Sequence, residues 1–296
     1  MPELPEVETV RQDLRRLVLN QTVTEVQVRC PAMLVRTSPE ELQEALVGTM
    51  LVEIGRQGKA LILRFSSGYS LLVHFRMTGQ LYPVGPEADL PEHTRTVLVL
   101  GDGRRLLHVD VRRLGTLELV PTEMEAQAAT LTGLGPDALE APPKPRELLR
   151  ALGRRRISVK QFLLDQSYRA GVGNIYASEI LARARIAPGL SCCRLTEVQV
   201  RALLKATHAV LAEAVEARGT TISDYRTGTG DVGSFQHHLR VYGREGQACT
   251  RPGCPGIIER IVQAQRSTYY CPVCQGIHQA GPPAPGKRDE SGEERP

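Results

Sequence analysis

Hydrophobic residues recur at helical spacing near the N-terminus of this sequence. They predict a helix over residues 5–18, and they are Val7, Val10, Leu14, Leu17 and Val18. Pro5 suits the first turn of a helix, and Glu6 and Glu8 lie where acidic side chains favour the helix dipole. The chain is therefore expected to begin with a helix whose positive end lies close to Pro2.

The next hundred residues contain short runs of apolar and β-branched residues. We predict strands at residues 26–28, 51–54, 60–65, 69–75, 96–100, 104–109 and 116–120. Gly101, Asp102 and Gly103 predict a hairpin turn between two of these runs. Strands at such short spacing, without helices between them, indicate a β-sandwich or a β-barrel.

After Val120 the hydrophobic pattern becomes helical. We predict helices at residues 123–131, 146–152, 158–166, 173–185 and 196–218. Thr196 is a suitable N-cap for the last of these, and Gly219 lies beyond its end. Residues 220–235 are rich in Gly, Thr and Ser and predict a mobile loop.

The composition is that of an ordinary globular protein, because 41% of the 296 residues are hydrophobic and 24% are charged. No apolar run approaches the roughly 20 residues that span a bilayer, and the N-terminus lacks the apolar core of a signal peptide. We therefore expect a cytoplasmic protein without a membrane partner. Residues 142–145 include three prolines and predict a linker between two domains.

The net charge of +4 is modest, but the arginines are clustered. The clusters are Arg104-Arg105, Arg112-Arg113 and Arg154-Arg155-Arg156 with Lys160. They predict basic patches for a nucleic-acid partner, although solvated surface arginines are the alternative explanation for any one of them. The chain has 32 arginines and only five lysines, so a retained lysine suggests a need for an ammonium group that can lose its proton. Lys59 is the lysine of most interest.

The N-terminus carries candidate chemistry. Removal of Met1 would leave Pro2 with a free secondary amine, and an α-amino group has a pKa of about 7.7–8.0. Attack of this amine on an aldehyde carbon gives an iminium ion, which withdraws electrons for an elimination. A flexible start without a function is the alternative explanation of these two residues alone.

Four cysteines have the spacing of a metal site. Cys249 and Cys254 form one pair, and Cys271 and Cys274 form a second pair 16 residues later. This spacing predicts one structural zinc ion with no open coordination position, whereas two disulfides are disfavoured in the cytoplasm. The segment between the pairs predicts a hairpin that presents Arg266 to a DNA phosphate.

The chain resembles the formamidopyrimidine-DNA glycosylases over about residues 1–276. The resemblance rests on PELPEVET at residues 2–9, RQGK at 56–59, DVRRLG at 110–115, GVGNIYASE at 171–179 and AQRSTYYCPVC at 264–274. It implies a bifunctional repair enzyme that removes 8-oxoguanine and formamidopyrimidines from duplex DNA and then cuts the strand at the abasic site by β,δ-elimination.

The resemblance also implies roles for individual residues. Pro2 would attack C1′ of the damaged nucleotide, and Glu3 would act as the neighbouring acid or base. Lys59 would donate a proton in β-elimination. Arg266 would position phosphate and stabilise charge in δ-elimination, because a guanidinium group does not readily release a proton. Glu6 also matches the pattern of the family.

Residues that would contact DNA follow from the same resemblance. Met77, Arg112 and Leu114 would fill the void left by the flipped base, and Leu114 departs from the more common phenylalanine. The residues that would bind the DNA backbone are His74, His93, Arg155, Lys160 and Asn174. Residues 171–174 would form the turn of a helix–two-turn–helix, and residues 225–235 would close over the flipped base.

The resemblance implies an α+β protein with an N-terminal helix and β-sandwich, a helical domain and a zinc β-hairpin. We expect the catalytic domain, linker, DNA-binding domain, zinc finger and disordered tail to span residues 1–135, 136–145, 146–240, 241–276 and 277–296. The expected partner is double-stranded DNA with oxidised bases or abasic sites, bound by a monomer in the bacterial nucleoid. One structural zinc ion is the expected cofactor.

Three other functions are considered. An oxidised-pyrimidine glycosylase of the endonuclease VIII type shares Pro2, Glu3 and the zinc hairpin, but Leu4, Met77 and Arg112 favour the purine branch. A non-catalytic zinc-finger protein that binds damaged DNA would not need Pro2 and Glu3. A protein-interaction module would explain the cysteines but not the N-terminus.

Overall fold

The computed structural model describes residues 2–222 and 225–276 of an α+β protein. Its N-terminal part contains α1 Leu4–Leu17, β1 Val23–Val28, β2 Leu34–Val35, α2 Pro39–Leu46, β3 Leu51–Gln57, β4 Ala60–Phe65, β5 Tyr69–His74, β6 Gly79–Val84, β7 Thr94–Leu100, β8 Arg105–Asp110 and β9 Thr116–Pro121. Its C-terminal part contains α3 Pro145–Leu152, α4 Val159–Leu164, α5 Asn174–Ala184, α6 Glu197–Glu216, β10 Glu259–Gln263 and β11 Arg266–Tyr270. The tail predicted from residue 277 lies outside the described residues.

The first nine strands form two sheets that face one another. One sheet has the order β1-β7-β8-β6, and the other has the order β2-β9-β5-β4-β3. Among the pairings of these nine strands, only the short β2–β9 pairing is parallel. Apolar side chains from both sheets share one buried core, for example Leu98, Leu106, Leu63 and Leu71. The expected β-sandwich is therefore confirmed.

Three elements of the sandwich are absent from the prediction, and they are the two-residue strand β2, helix α2 and strand β6. Helix α2 intervenes between strands, and Ser38 begins it with a capping box in which its side chain accepts from the Glu41 N–H. Helix α2 has only two turns, so it contains too few hydrophobic residues for a helical repeat to be recognised in the sequence. Strand β6 contains Pro83, and a proline in a sequence argues against a strand. It is tolerated here because β6 lies at the edge of its sheet.

The prediction of a helix over residues 123–131 is wrong. The chain there forms a short 3₁₀ helix, Thr122–Gln127, followed by turns. The Glu125 carboxylate accepts hydrogen bonds from Arg64 at 2.6 Å and from the Ser70 hydroxyl at 2.6 Å, and these hold the segment against the sheet. The other predicted helices begin and end within two residues of the observed bounds. No helix among the described residues is both long enough and apolar enough to cross a membrane.

Helix α1 connects two hydrophobic cores. Leu4 packs into the core formed by α3, α4, α5 and α6, whereas Val7 and Val10 pack into the core of the sandwich. The Leu4 N–H donates to the Gly171 carbonyl at 3.1 Å. Gly171 has φ +119°, and a Cβ there would lie 2.4 Å from the Leu4 side chain, so this contact requires glycine.

A buried guanidinium group connects the turn between β3 and β4 to both parts of the protein. Arg56 donates to Glu8 of α1 at 2.9 Å and forms two hydrogen bonds with Asp137. Its third partner is the Gly58 carbonyl at 3.0 Å, and the Gly58 N–H donates to Asp137 at 2.8 Å. The turn that carries Lys59 is thereby held by charges on α1 and on the segment before α3.

Replacement of Asp137 should destabilise the whole protein. Asp137→Ala leaves the buried Arg56 guanidinium without its main partner, which typically lowers the free energy of unfolding by about 3–5 kcal/mol. Glu147→Ala is the control, because the exposed Lys144–Glu147 pair at 3.6 Å should contribute no more than about 1 kcal/mol. Urea denaturation of both variants measures the difference, and equal losses would contradict a structural role for the Arg56 cluster.

Candidate active site and zinc centre

The Glu3 carboxylate is buried against the N-terminus of α5. It accepts backbone hydrogen bonds from Gly173 at 2.7 Å, Ile175 at 3.0 Å and Tyr176 at 3.4 Å. A Cβ at Gly173 would lie 2.3 Å from the Glu3 carboxyl carbon, so only glycine admits the carboxylate. Free N–H groups and the helix dipole stabilise an anion at this position. Pro2 precedes Glu3 and is also buried.

Glu6 is the second buried acid beside Pro2. Its carboxyl accepts the Glu3 N–H at 2.8 Å, the Thr220 N–H at 2.6 Å and the Tyr176 hydroxyl at 2.5 Å. Burial, reinforced by the negative charge of Glu3, raises the pKa of Glu6 to about 7. A large fraction of Glu6 is therefore protonated near neutral pH.

Lys59 faces both acids from the turn between β3 and β4. Burial is the main cause that lowers the pKa of its ammonium group, and the charge of Arg266 lowers this pKa further. The negative charges of Glu3 and Glu6 raise the pKa of Lys59 and so oppose these two effects. The structure therefore brings together Pro2, Glu3, Glu6, Lys59 and Arg266, and we call these five residues the N-terminal cluster.

The hairpin of β10 and β11 carries Arg266 towards this cluster. Ala264 and Gln265 form its tip with φ values of +47° and +60°, as expected for a two-residue hairpin turn. Asn174 at the start of α5 donates to the Ser267 carbonyl at 2.9 Å. Residue Arg266 itself is exposed beside these contacts.

Lys160 differs from its predicted place in an exposed basic patch. Its side chain is 1% exposed, and its ammonium group donates to the Ser267 carbonyl at 3.0 Å and to the Thr268 hydroxyl at 2.5 Å. Burial, and then the charge of Arg266, lowers the pKa of Lys160 to about 8. Its neighbour Arg155 is exposed, pairs with Asp165 at 3.4 Å and does not share this environment. Lys160 therefore holds the hairpin in place. The cluster of basic residues in the sequence does not predict this structural role.

The four predicted zinc ligands lie together. The Sγ atoms of Cys249, Cys254, Cys271 and Cys274 are all within 4.8 Å of one another. Backbone N–H groups of Gly256 and Cys274 each lie 3.4 Å from a cysteine sulfur, which favours thiolates. The group fits one tetrahedral zinc ion with no position left for a substrate, so the zinc is structural. The other cysteines in the chain are Cys30, Cys192 and Cys193, and they are free.

Two loops present the predicted wedge residues side by side. Asp110 joins them, because its carboxylate accepts from the Thr78 hydroxyl, from the Arg112 N–H at 3.1 Å and from the Gly115 N–H at 2.7 Å. Met77 is 41% exposed and Leu114 is 43% exposed, although both are apolar. The sequence analysis does not predict that Asp110 and Thr78 join these two loops. The feature that could have indicated it is an aspartate at the end of a buried strand, next to the arginine pair.

The two predicted backbone-binding histidines have different surroundings. His74 ends β5, and its Nδ1 accepts from the Arg76 N–H at 3.1 Å. Burial lowers the pKa of His74 to about 4, with smaller contributions from Arg76 and Lys59, so His74 is neutral near pH 7. His93 lies 3.3 Å from Arg95, whose guanidinium also donates to the Asp110 carbonyl.

The loop after α6 packs on α1. The Tyr225 hydroxyl lies 3.3 Å from the Glu6 carbonyl and 3.2 Å from the Arg218 carbonyl. Arg218 also donates to the buried Asp13 at 2.7 Å. Residues 223 and 224 of the predicted mobile loop lie outside the described residues, and the described remainder is anchored beside the N-terminal cluster.

Three family models match successive parts of the chain. They describe the formamidopyrimidine-DNA glycosylase N-terminal domain at residues 1–117, the formamidopyrimidine-DNA glycosylase H2TH domain at residues 134–226 and a zinc finger found in FPG and IleRS at residues 246–276. The chain is also similar to curated proteins over most of its length. A formamidopyrimidine-DNA glycosylase from Cereibacter sphaeroides is 41% identical over 283 residues, which cover 93% of this chain and 100% of that protein.

Solved structures agree with this comparison. A Lactococcus lactis Fpg variant in complex with DNA that contains Fapy-dG has a TM-score of 0.87 at 32% identity, covering 93% of this chain and 100% of that chain. The Lactococcus lactis Fpg complex with abasic-site DNA has a TM-score of 0.85 at 32% identity, covering 92% and 99%. By these matches, this chain belongs to the formamidopyrimidine-DNA glycosylase family.

Proposed function

We propose that this protein is a DNA glycosylase that excises oxidised purines from duplex DNA and then cuts the strand at the abasic site. One observation carries the proposal. Pro2 lies at a buried N-terminus whose next residue, Glu3, is fixed by α5, and Lys59 and Arg266 face the same place. A nucleophile, an acid or base and two cations therefore converge where C1′ and its phosphates would bind.

Pro2 is the proposed nucleophile. Once Met1 is removed, the secondary amine of Pro2 bonds to C1′ and releases its own proton, while the bond from C1′ to the base nitrogen breaks and the base leaves with a proton. Opening of the sugar then gives an iminium ion, which makes the C2′ proton acidic enough for elimination of the 3′ phosphate. Glu3 lies next in the chain and is the proposed group that exchanges protons with the sugar.

Lys59 is the proposed proton donor. An ammonium group with a lowered pKa donates a proton more readily than an exposed lysine, and the burial of Lys59 lowers its pKa in this direction. A guanidinium group does not readily release a proton, so we assign Arg266 to phosphate positioning in the second elimination. Lys160 and Asn174 hold the strand that carries Arg266.

The exposed wedge residues complete the proposal. Met77 and Leu114 present apolar surface that can replace a flipped base in the stack, and Arg112 between the loops can donate to the unpaired opposite base. His74, His93 and Arg155 remain the proposed contacts to the DNA backbone. Leucine instead of an aromatic residue at position 114 supplies the wedge without aromatic stacking.

The comparisons favour the purine branch over the pyrimidine branch, since the matching family models and curated relatives are named formamidopyrimidine-DNA glycosylase. We further infer that the protein acts as a monomer on DNA in the bacterial cytoplasm. We assign catalysis to residues 1–135, DNA binding to 146–240 and zinc binding to 241–276, joined by a linker at 136–145.

Borohydride trapping tests the proposal directly. On a duplex with one 8-oxoguanine opposite cytosine, reduction should leave a covalent adduct on the nitrogen of Pro2, which mass spectrometry of the cross-linked peptide identifies. Pro2→Gly should reduce trapping strongly, whereas Pro39→Gly, at the first turn of the distant helix α2, should not. An adduct on a lysine, or no adduct on a bound duplex, would overturn the assignment of Pro2.

Lys59→Arg should lower the rate of product formation from the 8-oxoguanine duplex about 100-fold, within the range expected for loss of a general acid. The guanidinium group keeps the positive charge but does not donate the proton. Single-turnover rates measure the effect, and a preformed abasic site shows which step is lost. Lys205→Arg on the exposed face of α6 is the control, and a Lys59→Arg rate within threefold of the wild type would contradict the role.

Removal of zinc should abolish DNA binding without unfolding the sandwich. Without the ion, the four thiolates repel one another and the hairpin with Arg266 loses its fixed position. We expect one zinc ion per chain by elemental analysis and its loss in Cys254→Ser. Cys193→Ser is the matched control, because Cys193 is exposed and outside the cluster. Full DNA affinity after chelation would show that the hairpin does not need the metal.

A further inference from the structure

A second basic groove lies at the C-terminal end of α5. It has a volume of about 560 Å³ and borders the zinc cluster, since Thr250 and Arg251 contribute to its wall. Its basic lining residues are Arg185, His237, His238, Arg240, Arg244 and Arg251. The remaining lining residues are uncharged, so the wall of the groove contains no carboxylate.

The groove is separate from the N-terminal cluster. Helix α5 has 11 residues, which at 1.5 Å per residue gives a length of about 16 Å. Glu3 is bound at the first turn of this helix, whereas Arg185 follows its last turn in a left-handed conformation with φ 58°. A ligand in the groove therefore lies at the opposite end of α5 from the proposed catalytic residues.

Among the described residues, the arginines of the groove form no ion pair with the nearby acids, although the negative charges of Glu179 and Glu213 act on Arg240 from a greater distance. Within residues 2–222 and 225–276, none of its four arginines forms an ion pair, and the side chains of Arg185 and Arg240 have no hydrogen bond. The neighbouring acid Glu213 is bound by two nitrogens of Arg183, at 2.5 and 2.6 Å. Glu179 accepts three backbone N–H groups and is buried.

Two arginines of the groove also support the fold. Arg244 donates to the Leu239 carbonyl at 3.2 Å, and Arg251 donates to the Ala182 carbonyl at 3.0 Å near the end of α5. These contacts give Arg244 and Arg251 a structural purpose. They do not explain Arg185 or Arg240, which line the same cavity and whose side chains form no ion pair or hydrogen bond among the described residues.

The chemistry of the wall indicates the kind of ligand. Guanidinium groups bind phosphate oxygens through paired hydrogen bonds. The wall has no Phe, Tyr or Trp, which single-strand binding sites use to stack bases. It also lacks the aromatic anchors that dominate protein interfaces, because Leu239 and Pro252 are its only large apolar residues. Phosphates of a duplex, contacted without reading bases, fit this wall best.

We propose that this groove binds the phosphate backbone of a second segment of duplex DNA while the catalytic site holds the segment with the lesion. The proposal rests on the proposed function as a DNA glycosylase. A protein that contacts two segments at once can pass from one to the other without entering free solution. Arg185 and Arg240 supply the contacts, and each phosphate that they neutralise releases counterions.

A two-duplex titration tests the groove. The full-length zinc protein is first saturated with a short unlabelled duplex that contains a tetrahydrofuran abasic-site analogue. A fluorescently labelled undamaged duplex is then added, and its anisotropy reports binding to the preformed complex. We expect the double variant Arg185→Gln with Arg240→Gln to bind the second duplex at least tenfold more weakly. The slope of log affinity against log salt should also fall by about 2, since two phosphate contacts are lost.

A matched pair of substitutions controls for net charge. Arg36→Gln with Arg150→Gln removes the same charge from exposed side chains that have no hydrogen bond or ion pair among the described residues. Arg36 also has a left-handed backbone, with φ 53° against 58° for Arg185. This control should bind the second duplex as the wild type does. Both double variants should keep their affinity for the abasic-site duplex, which shows that they are folded.

Three results would overturn the proposal. The wild-type complex could bind no second duplex, or both double variants could bind it equally well. A poly-glutamate peptide could also bind the preformed complex when the second duplex does not, which would assign the groove to an acidic protein. Failure of the wild type to bind the abasic-site duplex is a different result, because it contradicts the proposed glycosylase function itself.

Discussion

The burial of the Glu3 carboxylate at the N-terminus of α5 is the interaction on which the rest of the structure depends. An isolated buried carboxylate is very costly, and three N–H groups with the positive end of a helix offset that cost. Because the carboxylate is fixed, Leu4 enters the helical core while Val7 enters the sandwich core. The N-terminus of the chain is thereby held between the two halves of the protein, where a terminal amine would otherwise be mobile.

A second buried acid makes this arrangement electrostatically specific. Burial, and then the negative charge of Glu3, raises the pKa of Glu6 to about 7. The pKa of Glu6 is raised although the Glu3 N–H, the Thr220 N–H and the Tyr176 hydroxyl all donate hydrogen bonds to its carboxyl, which favour the charged form. The proposed nucleophile therefore lies beside two buried acids, of which Glu6 has a pKa raised to about 7. The buried Lys59 supplies a cation with a lowered pKa opposite them.

The sequence predicts those features that depend on residues close to one another along the chain. Helix α1, the strands of the zinc hairpin and the cysteine pairs have local periodicity or spacing, so the sequence alone predicts them. Lys59 is one of five lysines in an arginine-rich chain, and the resemblance of RQGK at residues 56–59 to the family distinguishes it from the other four. The sequence does not predict the role of Asp137, because its partner Arg56 lies 81 residues away and no local pattern connects them. The burial of Lys160 has no local signal for the same reason, since the zinc hairpin that buries it lies more than a hundred residues later in the chain.

Arginine shows why composition alone does not assign a role. Arg56 is buried between Glu8 and Asp137 and acts as a structural connection, whereas Arg112 is exposed beside two apolar wedge residues. Arg185 lies at the far end of α5 without a partner among the described residues. The side chain is the same in each case, and what differs is the supply of carboxylates that the fold brings within reach. Positive charge that the fold does not neutralise is available to DNA, so the distribution of acids determines where this protein can bind phosphate.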